Sequence, residues 1–333
     1  MEVELRLFGY KEGHPVTLYT MRNANGFEVS CMDWGCIITK IIAPDQRGNL
    51  ENVVLGFDTL EEYGDNPHFL GAVAGRFAGR IKGGTFTLEG QDYKLAANAN
   101  GHHLHGGNKG FSHKLWKSEM MQNESEAAIE FSYWSPDGEE GYPGNLELKV
   151  TYRIRDEAND VIISYSAVSD KTTLLNVTNH SYFNLSGDLK QDIFNHELTI
   201  NSNKFLELDT EKIPTGRYLP VDDSVFDFRG GRKLQDGIDP QSPLAGGGYD
   251  HPFLLDSSQQ REIMLVDKES GRQLVVETTE PAVVLYTGNR SGLCLETQGL
   301  PDSIHHPHFP SAILKKGERF SSETRYSFGV IDR

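Results

Sequence analysis

The alternation of apolar and polar side chains is the dominant pattern of this chain. It is strictest in Leu146–Ile154, which reads Leu-Glu-Leu-Lys-Val-Thr-Tyr-Arg-Ile. Because successive side chains of a β-strand point to opposite faces, this pattern predicts a strand with one face in a core and the other in solvent. Similar short segments recur at Val16–Met21, Ile37–Ile42, Thr85–Leu88, Ala127–Trp134, Val161–Ala167, Leu274–Thr278, Val283–Thr287 and Tyr326–Val330.

Turn-forming residues separate these segments and indicate where the strands connect. The clearest are Pro136-Asp137-Gly138, Gly83-Gly84 and the glycine-rich Leu244–Gly248, which we interpret as a site loop rather than a domain hinge. Helical periodicity is limited to one or two turns around Thr59–Tyr63. The chain is therefore predicted to be all-β, a sandwich or a barrel, and residues 1–333 are expected to form a single domain.

The net charge of the chain limits the kinds of partner that it is expected to bind. The 333 residues carry 48 acidic and 32 basic side chains, which gives a net charge of −16. Most of such a surface would repel nucleic acid and anionic membranes, so a neutral or cationic small molecule is the expected partner. No run approaches the roughly 18 apolar residues that a membrane span requires.

Cysteine usage and the amino-terminal sequence predict a cytoplasmic protein. Cys31, Cys36 and Cys294 cannot all pair with one another, and their spacing fits no paired-thiol metal site, so reduced structural cysteines are expected. Met1–Tyr10 has acidic residues early and lacks the continuous apolar stretch of a secretion signal. Nothing in the sequence separates a monomer from a homodimer.

The segment Thr178–Leu185 sets one histidine, His180, among polar and aromatic neighbours. Amides and hydroxyls offer donors and acceptors, and an aromatic ring offers a flat apolar wall, so this cluster predicts an imidazole held against a polar ligand. The alternative is a buried histidine that its neighbours merely satisfy. The neighbours are Asn179, Ser181, Tyr182 and Asn184.

A second segment, Leu293–Pro301, places Glu296 in an otherwise apolar, strand-like run. Carboxylates seldom occupy such a position without a partner or a chemical role. If Glu296 lies near His180, the two residues supply a carboxylate base and an imidazole acid, both of which burial can tune toward neutral pH. This pair suits proton transfer on a neutral, polar substrate.

Arginine and aspartate supply two more candidate groups. Arg76 and Arg80 lie four residues apart among small residues in Gly75–Ile81, where they grip substrate hydroxyls or a carboxylate, or else form surface ion pairs. Asp250 follows the glycine run, where it either accepts hydrogen bonds from sugar hydroxyls or satisfies its own turn.

Two histidine groups raise the question of a metal site. The ligand spacing matches no metal motif, so we expect no metal, and we interpret His105 before Gly106-Gly107 as a single ligand-facing histidine. The groups are His102, His103 and His105, and His305, His306 and His308.

Taken together, the motifs resemble the aldose 1-epimerase family, the galactose mutarotases, over nearly the whole chain. The matching segments, in the order of that family, are Gly75–Ile81, Leu104–Gly107, Ser135–Gly144, Thr178–Leu185, Tyr249-Asp250, Tyr286–Asn289, Leu295–Gln298 and Pro307–Gly317. The resemblance implies a large antiparallel β-sandwich with few short helices, and an isomerase that interconverts α and β anomers of free aldohexoses, with galactose and glucose as leading candidates. It implies no cofactor and no metal.

Carried over by position, the resemblance assigns Glu296 as general base and His180 as general acid. It assigns substrate binding to Arg80, His105 and Asp250. In this mechanism His180 is protonated when Glu296 is not, which requires a raised histidine pKa or a lowered carboxylate pKa.

Two positions depart from the family pattern. Gly79 replaces an asparagine that often precedes the second arginine, and Val284-Leu285 replaces a glutamine often found before the Tyr-Thr-Gly-Asn motif. Both changes remove hydrogen-bonding groups from positions expected to touch the sugar. They affect sugar preference more than reaction type.

Three alternatives come from other functional classes. A sugar-binding or sensory module on the same fold does not need both an acid and a base. The presence of both Glu296 and His180 argues against this alternative. A mutarotase of phosphorylated hexoses requires extra cations in the cleft. A glycoside hydrolase requires two flanking carboxylates, for which Asp250 and Glu296 are the candidates.

Overall fold

The structure, a computed structural model, describes residues 1–238, 248–256, 262–288 and 290–331. Strands dominate these residues, which confirms the all-β prediction. In chain order the first strands are β1 Glu2–Lys11, β2 His14–Arg22, β3 Glu28–Met32, β4 Ile38–Pro44, β5 Leu50–Asn52, β6 Val73–Ala74, β7 Arg80–Ile81, β8 Thr85–Leu88, β9 Gln91–Lys94, β10 His103–Leu104, β11 Lys117–Gln122, β12 Glu126–Ser135, β13 Leu146–Arg155 and β14 Asp160–Ser169.

The strands that follow come from the second half of the chain. They are β15 Thr173–Leu174, β16 Thr178–Asn179, β17 Tyr182–Phe183, β18 Glu197–Ile200, β19 Lys204–Leu208, β20 Pro214–Pro220, β21 Arg232–Lys233, β22 Asp250–Leu254, β23 Glu262–Asp267, β24 Arg272–Thr278, β25 Ala282–Tyr286, β26 Leu293–Gln298, β27 Ile313–Leu314 and β28 Arg319–Val330. The α-helices of the described residues are α1 Leu60–Tyr63 and α2 Gln235–Ile238, each four residues long. None of the helices in the described part of the chain is long and apolar enough to cross a membrane.

Three antiparallel sheets form the body of the fold. Their strand orders are β1-β2-β3-β4-β5, β11-β12-β13-β14-β28-β24-β23-β18-β21 and β17-β26-β25-β22-β19-β20. The nine-stranded sheet packs against both of the others, as Tyr19 against Phe131 and Phe183 against Tyr326 show, with ring centroids 6.0 and 5.3 Å apart. The expected antiparallel β-sandwich is thus confirmed, with its main core between these layers.

Alternation along β13 shows how the sequence builds that core. Leu148, Val150 and Tyr152 are fully buried, while the residues between them are exposed or half-buried. Because side chains alternate between faces, the polar positions of the strand reach solvent at no cost to the core. The predicted strand over Leu146–Ile154 is confirmed.

The other local predictions are confirmed with shifts of a few residues at the ends. The predicted turn at Thr59–Tyr63 is α1, whose Thr59 and Glu62 cap each other's backbone N–H groups. The strand predicted over Tyr326–Val330 is the end of the longer β28. β1 was not among the predicted strands, although Glu2–Leu7 alternates polar and apolar side chains. The proposed site loop at Leu244–Gly248 lies outside the described residues except for Gly248.

Candidate active site

One face of the six-stranded sheet forms the floor of a cleft. Glu296 pairs with Val284, and Tyr286 pairs with Asp250, across the β26-β25-β22 ladders. Directly opposed residues in antiparallel strands point to the same face, so all four side chains line the cleft. Leu295 points to the other face, into the main core. Strand register alone therefore brings the two carboxylates into one site.

Glu296 is buried in a strand in which every residue is buried. The residue is 3% exposed. Burial, with a smaller contribution from the neighbouring Asp250, raises the pKa of Glu296 to about 8, whereas Arg80 opposes the shift. The carboxyl group therefore holds a proton at neutral pH.

His180 faces Glu296 from the short segment between β16 and β17. The backbone fixes its place, because His180 N–H donates to Ala72 O at 2.9 Å and Gly71 N–H donates to His180 O at 3.0 Å. Nε2 of His180 lies 3.5 Å from Oε1 of Glu296, and Nδ1 lies 3.4 Å from Sγ of Cys294. The structure thus brings together the two residues predicted to act as acid and base.

The mechanism implied by the family resemblance requires a raised pKa of His180 or a lowered pKa of Glu296. Burial shifts both pKa values in the opposite directions. It lowers the pKa of His180 to about 4 while it raises that of Glu296. The low-polarity surroundings penalise the charged form of each group, and they penalise both at once. The pair therefore carries one proton at neutral pH, and the proton lies on the carboxyl group.

Phe69 packs against His105 and His180 in the cleft, although nothing in the sequence singled it out. Its ring centroid lies 4.7 Å from that of His105 and 6.0 Å from that of His180. The backbone of Phe69 has a φ of +55°, in a turn that Asn66 closes by bonding Leu70 N–H and O. This apolar ring excludes water from the imidazoles and so supports the lowered pKa of each.

His105 is the one histidine of the first group that lines the cleft. Gly79 N–H donates to its Nδ1 at 3.2 Å, so the neutral ring carries its proton on Nε2. Burial, with His180 and Arg80 nearby, holds the pKa of His105 well below its ordinary value. The following Gly106 has a φ of +87°, and a Cβ there would lie 1.6 Å from Gly75 O, so the turn requires glycine.

Arg80 and Asp250 face each other in the cleft, with Nη1 and Oδ2 3.6 Å apart. Burial raises the pKa of Asp250, and Arg80 opposes that shift. Asp302 holds the backbone beneath Arg80, because its N–H donates to Arg80 O and its Oδ1 accepts from Lys82 N–H, both at 2.9 Å. Sequence reasoning missed Asp302, since an aspartate after proline usually serves only its own turn.

Several polar candidates do not face the cleft. Arg76 is buried and donates to Ser135, Pro136 and Pro143, so it is neither a substrate-binding residue nor a surface ion pair.

The polar neighbours of His180 in the sequence also point away from the cleft, with the exception of Tyr182. Asn179 bonds Gly71 O and Ser181 Oγ, and Asn184 bonds the carbonyls of Gln191 and Ser291. These side chains shape the backbone around the histidine and leave the ligand to other residues.

The remaining histidines of the two groups bind elsewhere in the protein. His103 contacts Ala96 O and Tyr142 Oη, at 2.8 and 2.6 Å. His305 lies 2.6 Å from Asp302, and His308 lies 2.8 Å from Gly216 O. His306 stays close to both, with Nε2 3.5 Å from Asp302 and its ring centroid 6.0 Å from that of His308. Among the described residues, neither group of three brings its ligand atoms close enough to hold a metal.

A different set of residues has the composition of a metal site. One ligand atom each from His105, His180 and Glu296 lie within 4.8 Å of one another. Two imidazoles and one carboxylate are a donor set that divalent transition metals accept. The same atoms are those of the predicted acid–base pair and its neighbour, so a metal there and proton transfer compete for them.

The two departures from the family pattern both lie in the cleft. Gly79 has a φ of +77°, and a Cβ there would lie 2.9 Å from the ring of Pro301, so this backbone leaves no room for an asparagine. Val284 presents an apolar surface beside Glu296.

Gln298, which lines the same wall of the cleft, has a buried Oε1 with no hydrogen-bond partner among the described residues. Lys212 also lines the cleft. The sequence motifs assigned no role to Gln298 or to Lys212.

Comparison with known proteins agrees with this geometry. The family model for aldose 1-epimerase matches residues 17–327. A galactose mutarotase from Bos taurus is 41% identical over 91% of each chain, and an aldose 1-epimerase from Escherichia coli is 35% identical over 95% of this chain and 96% of its own. The crystal structure of a galactose 1-epimerase from Lactobacillus acidophilus superposes with a TM-score of 0.89 at 26% identity over 99% of each chain.

The chain belongs to the aldose 1-epimerase family. It is an isomerase, and its reaction is the interconversion of sugar anomers. The resemblance drawn from the sequence motifs is thereby confirmed.

Replacing Glu296 by glutamine is expected to change how stability depends on pH. The pKa of this group is about 8 in the folded protein against an ordinary 4.5, so between these values the folded state keeps a proton that the unfolded chain releases. As pH rises through this window, the free energy of unfolding of the wild type should fall relative to that of Glu296→Gln, by up to about 5 kcal/mol. Urea unfolding of both proteins across the window measures the difference.

The matched control for this experiment is Glu147→Gln, which changes an exposed carboxylate on β13. It should leave the pH dependence of unfolding close to that of the wild type. Parallel curves for wild type and Glu296→Gln would contradict the raised pKa of Glu296.

Proposed function

We propose that this protein is a mutarotase of free aldohexoses in which Glu296 and His180 transfer the protons. The observation that carries the proposal is the buried pair itself, with Nε2 and Oε1 3.5 Å apart on the floor of a sugar-sized cleft. Glu296 takes the proton from the C1 hydroxyl while His180 gives a proton to the ring oxygen, and the hemiacetal opens to the free aldehyde. Rotation about the C1–C2 bond and closure with the roles reversed yields the other anomer.

The protonation state that burial favours matches one stage of this cycle. Opening the ring leaves Glu296 protonated and His180 neutral, which is the state that the pKa shifts of the pair favour. Before opening, the proton must therefore move from Glu296 to His180 once the sugar is bound. Because the two groups are adjacent, the pair needs no exchange with solvent to change from one arrangement to the other.

Arg80, His105 and Asp250 are the proposed binding residues. Neutral His105 presents its Nε2–H as a donor, Arg80 presents several donors, and Asp250 presents acceptors, so together they match the mixed donors and acceptors of sugar hydroxyls. Their contribution is to hold the ring in the orientation in which both proton transfers can occur. Gln298 Oε1 adds an unpaired acceptor to the same wall.

The charges of the cleft favour a neutral sugar over a phosphorylated one. Arg80 is engaged with Asp250, so Lys212 is the one other cation that the described cleft residues offer, against the carboxyl groups of Asp250 and Glu296. A phosphate group usually needs several convergent cations. D-Galactose and D-glucose are accordingly the proposed substrates.

Composition and packing support proposals on the domain organisation, the compartment and the partners of the protein. We propose that the chain acts as one domain, because its cleft draws residues from Pro67 through Pro301. The buried free thiols of Cys31, Cys36 and Cys294 favour the reducing cytoplasm. The net charge of −16 disfavours nucleic acid as a partner.

Glu296→Gln and His180→Asn should each lower the catalysed rate by about 10²–10⁴-fold, because each removes one positioned proton donor or acceptor. The measurement is optical rotation against time after dissolving α-D-galactose or α-D-glucose. The wild type should speed the approach to an unchanged equilibrium rotation. If the wild type relaxes at the buffer rate while calorimetry still detects sugar binding, the chain is a binding module and the acid–base assignment is wrong.

The pH profile should follow the single proton of the pair. The value of kcat/KM is expected to stay level between about pH 4 and about pH 8, where the pair holds one proton, and to fall above about pH 8, where Glu296 loses it. Polarimetry at each pH, corrected for the buffer-catalysed rate, gives the profile. Activity that keeps rising above pH 9 would contradict the assignment.

Removal of metal ions should not change the rate, because the proposed steps move protons only. The test is polarimetry after dialysis against a chelator, followed by addition of Zn²⁺. Added Zn²⁺ should inhibit, since His105, His180 and Glu296 offer three ligand atoms within 4.8 Å. Activity that is lost on chelation and restored by Zn²⁺ would instead assign a metal to the reaction.

A further inference from the structure

An exposed apolar strip lies along one open edge of the sandwich, away from the cleft. Leu5 and Leu7 of β1 are 52% and 55% exposed, and Met120 of β11 is 44% exposed. β1 ends the five-stranded sheet and β11 ends the nine-stranded sheet. The two strands are neighbours, because Gln122 Nε2 donates to Met1 O at 3.0 Å.

The two leucines continue the inward face of β1. Met1 and Val3 pack against the main core, and Leu5 lies opposite Tyr19, which is a member of that core. Because alternate residues of a strand share a face, Leu5 and Leu7 point the same way as Val3, over the margin where the core ends. A strand added beside β1 would cover these half-exposed apolar side chains.

The outer edge of β1 offers unpaired backbone groups beside this strip. Within the described part of the chain, β1 pairs with β2 alone. Other elements approach this edge at its two ends, where Gln122 of β11 donates to Met1 O and Leu60 of α1 lies against Gly9. An open edge of this kind is a template for another strand. The exposed even-numbered residues include Glu4 and Arg6, which carry opposite charges two positions apart on one face.

We propose that a second copy of this chain covers the edge, with the two β1 strands antiparallel about a two-fold axis at Leu5. In this register Leu5 lies opposite Leu5, and Val3 lies opposite Leu7, so apolar residues meet on the inward face. On the other face, Glu4 of each copy lies opposite Arg6 of the other. The strand is thus complementary to itself in both hydrophobicity and charge, as a two-fold interface requires.

The neighbouring registers lack this complementarity. An axis at Glu4 or at Arg6 sets like charges opposite each other, and an axis at Val3 sets Glu2 opposite Glu4. A shift by a single residue sets charged side chains against leucines. The spacing of charges along β1 therefore selects one symmetric partner strand and disfavours the others.

Cysteine substitution tests the register directly. Opposed residues of antiparallel strands have Cα atoms about 4.5–5.5 Å apart, within disulfide range, so Leu5→Cys should give a covalent dimer on mild oxidation. Leu7→Cys is the matched control, because the two copies of position 7 would be at least about 13 Å apart. The native cysteines are buried and do not compete. Non-reducing electrophoresis of the full chain reads out both variants.

Charge reversal tests the same contact in the untreated protein. Sedimentation velocity over a range of concentrations should show a monomer–dimer equilibrium. Arg6→Glu sets carboxylates opposite each other twice per dimer and should weaken association at least tenfold, whereas the swap Glu4→Arg/Arg6→Glu should restore it. No β1 residue lines the cleft, so mutarotation by each variant should equal that of the wild type, which also shows that the variants fold.

Three outcomes would overturn the proposal: a wild type that stays monomeric at all concentrations, a dimer that Arg6→Glu leaves unchanged, or equal cross-linking through positions 5 and 7. None of these outcomes depends on whether the protein turns over sugar. Failure of this interface and failure of the proposed reaction are therefore separate results.

Discussion

The desolvation of one carboxyl group, that of Glu296, is the constraint on which the rest of the cleft depends. β26 lies between β17 and β25 and is buried along its whole length, so the carboxyl group loses its water and its pKa rises to about 8. A group that ionises near neutral pH can both take and give a proton at little cost. The same carboxylate at an exposed strand position would remain ionised and would be a weak base.

The other elements around the cleft keep that environment intact while they supply polar contacts. Phe69 covers the imidazoles, and Cys294 contacts the inner nitrogen of His180. Arg80 lies close enough to moderate the raised pKa values of Asp250 and Glu296 without reversing either. The site thus combines a buried floor, which sets the proton affinities, with a polar rim that contains Arg80, His105 and Asp250.

Much of the fold was predictable, because the physics that forms a strand such as β13 is local. Alternation with a period of two identifies strands that are half buried, wherever they lie in the chain. The same alternation is present in Glu2–Leu7 of β1, which was not predicted as a strand. The pattern could not tell how the strands assemble into sheets. The pairing of β14 with the distant β28 joins residues far apart in sequence, and such contacts leave no local pattern.

The sequence by itself determined the strands, the residue types of the site and, through its motifs, the family. The family resemblance had singled out Arg80, His105, Asp250, Glu296 and His180, but only the tertiary structure showed that these residues meet in one cleft. It also showed that Arg76 and most polar neighbours of His180 bond elsewhere. It also reversed the expected pKa shifts. The physical reason is that proton affinity and contact depend on burial and on register between distant strands, and neither property belongs to a residue or to its neighbours in the chain.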